Sequence, residues 1–558
     1  MKVHGDLTKP GARAGVLRRL WGKRDGAEER DGAERHDGAE GLVGRDVYIV
    51  LYKLGTGGRT GAVLDQCEAF VELGMNPVIV TFDFETDRER AMASALSGRE
   101  LPAGTSVVNL HEELSRCDQE AGAAGLPEAD GADGAELSFA SHSEGDTTLL
   151  SYFDRRGRCV RVRQERDGFV ERDTLFREGV PYLVRDFDTR GHCSRERSVV
   201  GAVDRVSEER YFARDGFCYV TRRLDAATGA QRGNFWHRRG ERESRRYAHN
   251  TPWHAAWLEE FVRSREHEAG KPFVIAESPS SVLKLLDTGA SFAHRLYMFH
   301  ENHLAAPHTL GADVRKDYGS APERMSEMPL LIVPTEAQAE DIRTQFGAEV
   351  RVRSIGNRVI DKRTRAARTK EAGRIGSFGR LAASKRLDEA LRIFRGVVER
   401  VPGARFEIYG SGPERKKLEK LAGRLGLDDA VTFHGRTPDV GDEMARCAVT
   451  ISTSATESFG LSIAESLAVG TPVVSYAVNY GPRDLIRDGR DGYLIEPGDE
   501  EGFVDKVVEL LGDPAAAQRM GEDGERRMAE DFSRRSFTAA WKAAFLEAEA
   551  VERAERTR

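Results

Sequence analysis

Asp46-Val-Tyr-Ile-Val-Leu-Tyr52 is an unbroken apolar run, and the glycine-rich segment Leu54-Gly-Thr-Gly-Gly-Arg-Thr60 follows it. A strand that is apolar on both faces belongs in a parallel sheet covered by helices on either side. Beyond the loop, Val63, Leu64, Cys67, Phe70 and Val71 recur at helical spacing, and Gly74 supplies a stop. Residues 78–82 and 106–110 read as further strands. The chain therefore opens as an α/β domain with crossover helices.

Ahead of this stretch, residues 1–44 repeat Asp-Gly-Ala-Glu at 25, 31 and 37. Such a charged low-complexity segment is expected to be disordered. It lacks the apolar core of a secretory signal, although residues 15–21 offer a short stretch for peripheral membrane contact. On the other side, the alternation stops near 115, and 118–136 reads as an Ala/Gly/Asp linker. From 137 to 248 short runs alternate with Gly turns. Tyr152-Phe-Asp-Arg-Arg-Gly-Arg-Cys159, Asp186-Phe-Asp-Thr-Arg-Gly-His-Cys193 and Tyr211-Phe-Ala-Arg-Asp-Gly-Phe-Cys218 align as repeated hairpins. An antiparallel β-meander inserted in the first domain is expected. Strand–helix alternation resumes at 251, where Thr335-Glu-Ala-Gln338 reads as a capping box. A second α/β domain begins at Arg374-Ile-Gly-Ser377. The expected layout is 1–44 disordered; 45–117 with 249–355 the first Rossmann-like domain; 118–248 the insert; 356–535 the second Rossmann-like domain; and 536–558 a terminal helix.

Composition bounds the function. The 558 residues are 39% hydrophobic and 32% charged, with no run near the ~20 apolar residues of a membrane span. Cysteines at 67, 117, 159, 193, 218 and 447 form no CxxC pair, so neither a zinc ribbon nor a dithiol site is signalled. Reduced thiols in a cytoplasmic protein are the default expectation. A net charge of −8 argues against general nucleic-acid binding. Residues 151–250, by contrast, hold 23 Arg, no Lys and 16 Asp plus Glu, a balance of 23 − 16 = +7. That suits a polyanionic partner; a solvated sheet of alternating charge reads almost as well.

Ligands in doubly wound sheets bind outside the carboxyl ends of the strands, so the loops after strands carry the candidate chemistry. After strand 449–452 comes Glu457-Ser-Phe-Gly-Leu-Ser-Ile-Ala-Glu465. If both carboxylates lie on one helix, eight steps separate them by ~12 Å and bring them within ~80° of the same face. Glu457 and Glu465 can then accept hydroxyl hydrogen bonds from two parts of one ligand. Gly460, flanked by Phe459 and Leu461, lets a helix start approach a diphosphate. After the second domain's first strand, Gly379-Arg-Leu-Ala-Ala-Ser-Lys-Arg386 places Arg380 and Lys385 to neutralise a leaving diphosphate. Gly57 and Gly58 permit close backbone approach in the first domain. His300 and His303, in Phe-His-Glu-Asn-His303, follow a strand that faces the cleft; His300 is preferred. Asp186-Phe-Asp188 resembles a metal-binding pair but lies in a hairpin repeat and reads as a turn.

The Glu-x7-Glu pattern, the Gly-Arg-Leu-x-x-x-Lys-Arg segment and the order of elements over about 45–535 resemble the family 4 retaining glycosyltransferases of the GT-B fold. The resemblance implies two Rossmann-like domains facing a cleft. It puts Glu457 on a donor sugar, Glu465 on its ribose, Arg380 and Lys385 on the diphosphate, and His300 near the transferred sugar. The insert and the loop Asn479-Tyr-Gly-Pro-Arg-Asp-Leu-Ile486 are similar to bacterial wall teichoic acid α-glycosyltransferases of the poly(glycerol-phosphate) α-glucosyltransferase type. By that resemblance the expected partners are UDP-glucose or UDP-N-acetylglucosamine and an anionic polyol-phosphate polymer. A homo-oligomer formed through the insert is also expected. No cofactor or metal is expected, because cationic side chains stand where a metal would neutralise charge. A protein-glycosylating enzyme, a nucleotide-sugar epimerase and a non-catalytic transferase partner stay open as alternatives.

Overall fold

The computed structural model describes residues 41–55, 57–96, 99–116, 137–360 and 369–556. The disorder expected of 1–44 (apart from 41–44), the membrane-contact stretch 15–21, the whole linker 118–136 and residues 361–368 of the second linker lie outside the described residues.

Among the described residues there are three sheets. The first is parallel and seven-stranded, in the order Val352–Ser354, Leu331–Val333, His294–Met298, Phe273–Ala276, Asp46–Val50, Asn76–Thr81, Ser106–Asn109. Its centre is the apolar run of the opening stretch: Val47 pairs with Phe273 and Pro77, and Ile49 with Ile275 and Ile79. Burial on both faces explains why that run does not alternate. Helix Gly58–Glu72 follows it directly and packs Val63, Cys67 and Phe70 into the core. Thr335 caps helix Glu336–Phe346 by accepting from the Gln338 amide. The Gln338 side chain does not close a reciprocal box. Its amide donates to the Glu301 carbonyl and so holds the loop after His294–Met298.

The insert is a ten-stranded antiparallel meander from Ser138–Glu144 to Arg245–Tyr247, in which each strand pairs with its sequence neighbours. It is not a detached module. Tyr211, Tyr219, Val220 and Trp236 share one core cluster with Phe82, Trp253 and Trp257 of the first domain. His111 Nδ1 meets the Tyr219 hydroxyl at 3.0 Å, and the Arg195 guanidinium lies 4.6 Å over the Phe84 ring.

The second domain's sheet is parallel and six-stranded, in the order Val431–Gly435, Arg405–Tyr409, Glu371–Phe378, Cys447–Ser452, Val473–Tyr476, Gly492–Ile495. After helix Pro514–Asp531 the chain crosses back. Helix Arg534–Arg556 buries Trp541, Ala544 and Phe545 against Phe70 and Phe273 of the first domain. The Arg45–Glu549 ion pair fastens the same contact. Both parallel sheets thus present their carboxyl-end loops to a shared cleft.

Candidate functional site

On the second domain, strand Glu371–Phe378 ends in Gly379-Arg380-Leu381. The path of this segment is set by a neighbour that sequence reasoning did not single out, Gly410-Ser-Gly412. The Leu381 amide donates to the Ser411 carbonyl at 3.0 Å. Gly410 has φ 137°, and a Cβ there would stand 1.8 Å from the Gly379 carbonyl oxygen, so no larger residue fits. Arg380 emerges exposed, and among the described residues no carboxylate pairs with it. A short turn, Ala383–Lys385, then brings Lys385 inward.

Lys385 Nζ donates to Glu457 Oε1 at 2.5 Å, and Ser454 Oγ donates to the same oxygen at 2.8 Å. The two loops are zipped along their backbones. Thr453 Oγ1 donates to the carbonyls of Lys385 and Arg386, and the Ala455 amide donates to Ser384. Behind them, the Gly481 amide donates to the Glu457 carbonyl, and a Cβ on Gly481 would lie 1.8 Å from the Phe459 carbonyl oxygen. Glu457 is thereby fixed before any ligand arrives.

This geometry corrects the single-helix reading. Helix Leu461–Ala468 begins after Glu457, with Gly460 at its N-cap in the left-handed region (φ 89°). Only Glu465 is helical, so the eight-step spacing does not apply to the pair. No side chain caps the helix start; the Ile463 amide closes onto the Gly460 carbonyl, and Ser462 of the first turn, at the positive end of the helix dipole, lines a recess together with Arg380, Lys385 and Glu457. The Phe459 ring is a core group, packed edge-on against Phe532 at 5.5 Å, and only its backbone can meet a ligand. Leu461 reaches across the cleft: a Cβ on Gly58 would sit 3.2 Å from Leu461 Cδ1. Gly57, with φ 164°, is in extended backbone open to any residue, and its location alone keeps it a candidate.

The first domain supplies His300 just beyond strand His294–Met298. Its Nε2 bonds to Glu277 Oε2, a carboxylate at the end of the neighbouring strand Phe273–Ala276. Glu277 is wholly buried, and its other oxygen has no hydrogen-bond partner among the described residues. A carboxylate placed this way fixes the imidazole's orientation and tautomer. The sequence carried one faint signal for it, an acidic residue directly after a buried strand. His303 plays a different part. Burial pushes its pKa down to about 4, its Nε2 meets Gln345, and its ring stacks in parallel on Tyr480. It is a structural joint between the domains. Asn302 Nδ2 spans the cleft to Thr456 Oγ1 at 3.1 Å, and the Glu336 amide donates to Asp484. These contacts bring the His300 loop up to the Glu457 loop.

Two other sequence features have structural roles. Asp186 is buried under Arg172, Arg195 and Arg197, and Asp188 accepts the amides of its turn. The thiols of Cys159, Cys193 and Cys218 each bond to a carbonyl two residues on. Among the described residues no group of three or more His, Cys, Asp or Glu is placed to hold a metal ion.

The family model described as "Glycosyl transferases group 1" matches residues 360–527. The poly(ribitol-phosphate) alpha-N-acetylglucosaminyltransferase of Staphylococcus aureus (strain COL) is 23% identical over 521 residues, 89% of this chain and 99% of its own. The lipopolysaccharide core biosynthesis glycosyltransferase LpsE of Rhizobium meliloti (strain 1021) is 31% identical over 244 residues, 42% of this chain and 70% of its own. A crystal structure of a variant of S. aureus TarM with fondaparinux, alpha-GlcNAc-glycerol and UDP matches with a TM-score of 0.75 at 21% identity, covering 90% of this chain and 99% of that one. The architecture is that of the GT-B glycosyltransferases, with the antiparallel sheet added.

Proposed function

The chain belongs to the group 1 glycosyl transferases, and from that premise we propose that it moves glucose or N-acetylglucosamine from a UDP-sugar to a hydroxyl of a polyol-phosphate polymer, with retention. The observation that carries the donor reading is one recess lined by Arg380, which has no carboxylate partner among the described residues, by the Lys385–Glu457 pair and by Ser462 in the first turn of the uncapped helix after Gly460. The diphosphate meets Arg380, Lys385 and the helix amides, which stabilise the charge that develops as the glycosidic bond breaks. Glu457 then accepts hydroxyl hydrogen bonds from the sugar, and Glu465 from the ribose. His300, oriented by Glu277, faces the sugar from the opposite wall. The departing phosphate takes the acceptor proton, so no enzyme nucleophile is needed. The names of the S. aureus relative and of the TarM complex support the polymer acceptor and the UDP donor.

Assembly through the insert belongs to the same proposal, supported by the exposed apolar side chains Phe139, Phe169 and Val180 on its strands. Among the described residues no helix is long and apolar enough to cross a membrane. The deciding experiment incubates the protein with UDP-glucose or UDP-N-acetylglucosamine and poly(glycerol-phosphate) or poly(ribitol-phosphate), before and after exhaustive chelation. An α-linked product in both conditions is expected. No transfer from either donor would refute the reading, and a metal-reversible loss would refute the charge-stabilising roles of Arg380 and Lys385.

A further inference from the structure

The structure holds a second and larger hollow, of about 460 Å³, within the size range of small-ligand pockets. It lies at the carboxyl ends of strands Asp46–Val50 and Asn76–Thr81, and two parts of the chain wall it. Arg88 and Met92 come from the first domain's helix Arg88–Leu96, and Arg166 and Glu171 from adjacent strands of the insert. Gly55 of the glycine-rich loop borders it, so the hollow and the proposed transfer site share a loop. The rim is tied by Arg90, which pairs with Asp146 in the insert's first hairpin turn.

The chemistry of the lining selects among ligands. Lys53, Arg88, Arg90 and Arg166 contribute four positive groups, and Asp83, Glu85, Asp87 and Glu171 four negative ones, a balance of 4 − 4 = 0. Several are already paired within the wall: Arg166 Nε lies 3.3 Å from Glu171, and Arg88 donates to Thr81 Oγ1 at 3.1 Å. A phosphate lodged there would face four carboxylates. A sugar ring suits both signs, because each hydroxyl donates to a carboxylate and accepts from a guanidinium. Leu54, Ala91 and Met92 supply apolar surface for its C–H face.

We infer that this hollow is a subsite for an uncharged hexose carried on the acceptor, separate from the hexose being transferred. It lets the enzyme grip a polymer by units already glycosylated while a bare hydroxyl occupies the cleft. The inference rests on the glycosyl-transfer reading, but its test does not depend on turnover. The full-length protein, saturated with UDP, is titrated with methyl α-glucoside, methyl α-N-acetylglucosaminide and glycerol phosphate, with binding read by saturation-transfer NMR. Ala91→Trp fills the hollow from the first domain, and Glu171→Ala removes a polar wall from the insert. At least one glycoside is expected to bind, glycerol phosphate, which resembles the acceptor backbone of the cleft, is not expected to displace it, and each variant is expected to weaken the glycoside at least tenfold with unchanged UDP affinity and melting temperature. Absent glycoside binding, or glycoside binding that a folded variant of either kind leaves intact, would overturn the subsite. Failure of the wild type to consume any UDP-sugar would instead count against the proposed function.

Discussion

Replacing Lys385 by methionine preserves most of the side chain's length and removes its charge. In the structure its Nζ and Ser454 share one oxygen of Glu457, and the two ionic side chains are 27% and 11% exposed. Two losses follow, of different size. For the fold, a hydrogen bond to a charged group contributes ~1.5–3 kcal/mol. Water reaches the exposed part of Lys385 and substitutes for some of that, leaving about 1 kcal/mol, or a few degrees in Tm. For catalysis, removing one donor aimed at developing charge costs ~2.7–4 kcal/mol, or about 10²–10³ in kcat. The catalytic loss dominates, so the variant is expected to stay folded and lose nearly all transfer. UDP release in the presence of acceptor and a thermal melt measure the two separately. Glu457→Gln and the double variant complete a cycle. Because the side chains work as one pair, the double variant should fall no more than about threefold below the worse single variant. Turnover of Lys385→Met within twofold of wild type, or a double variant that multiplies the two single losses, would refute the paired-site argument.

Glu277→Gln should lower kcat about 10²-fold with the donor KM unchanged, because it alters the tautomer of His300 while leaving the recess intact; an unchanged kcat would make the contact merely structural. His303 has a folded pKa of about 4 against about 6.5 when unfolded, so the unfolded chain binds the extra proton between these values. Its contribution to stability is complete above pH 6.5 and is lost as pH falls towards 4, so His303→Phe should make the fall in melting temperature over that window shallower, the remainder coming from His111, His254 and His294, whose pKa values burial also lowers; a profile parallel to wild type would contradict this. On the insert, Arg155, Arg156 and Arg205 are exposed without a carboxylate partner among the described residues. Changing all three to Gln should weaken polymer affinity and reduce its salt dependence, whereas the same change at paired Arg163 should cost stability instead; equal salt dependence in the triple variant and wild type would remove these residues from the acceptor surface.

The fold was legible because its signals are local. Buried parallel strands announce themselves as unbroken apolar runs such as 46–52, and the repeated Gly turns of 152–218 marked a meander without giving the number of its strands. Boundaries shifted by a few residues where apolar runs continue past the last ladder bond, as after Val50. The candidate site was legible only in part. Arg380, Lys385, Glu457 and His300 fall in loops after strands, where a charged residue is informative. Glu277 and Asn302 were not read, because their significance lies in partners, His300 and Thr456, that are remote in sequence. The helical placement of Glu457 failed for a related reason. The hydrophobic pattern of 459–468 does not reveal that Gly460 turns the chain through a left-handed residue before the helix starts.

The insert shows why a charge sum overstates a binding surface. Its surplus of arginine suggests a uniformly basic face, yet register puts Arg163, Asp173, Arg185, Glu196 and Arg210 side by side on five consecutive strands. Arg163 pairs with Asp173, and Arg185 and Arg210 both pair with Glu196. On the opposite face Asp186 gathers three arginines. Much of the positive charge is therefore committed to cross-strand pairs that help fix register, a role that follows from geometry alone. Among the described residues, Arg177 and Arg246 on strands are exposed without a carboxylate partner and lie over the rings of Tyr182 and Phe235, and three more such arginines stand at hairpin turns. Arg155 and Arg156 occupy the turn between Thr147–Phe153 and Cys159–Arg166, and Arg205 the turn between Cys193–Val199 and Val206–Phe212. Strand alternation places both turns at the same end of the meander. A polyanion drawn to the insert would thus meet turn arginines gathered at one end of the meander, while most arginines on the broad faces of the sheet are held in cross-strand pairs.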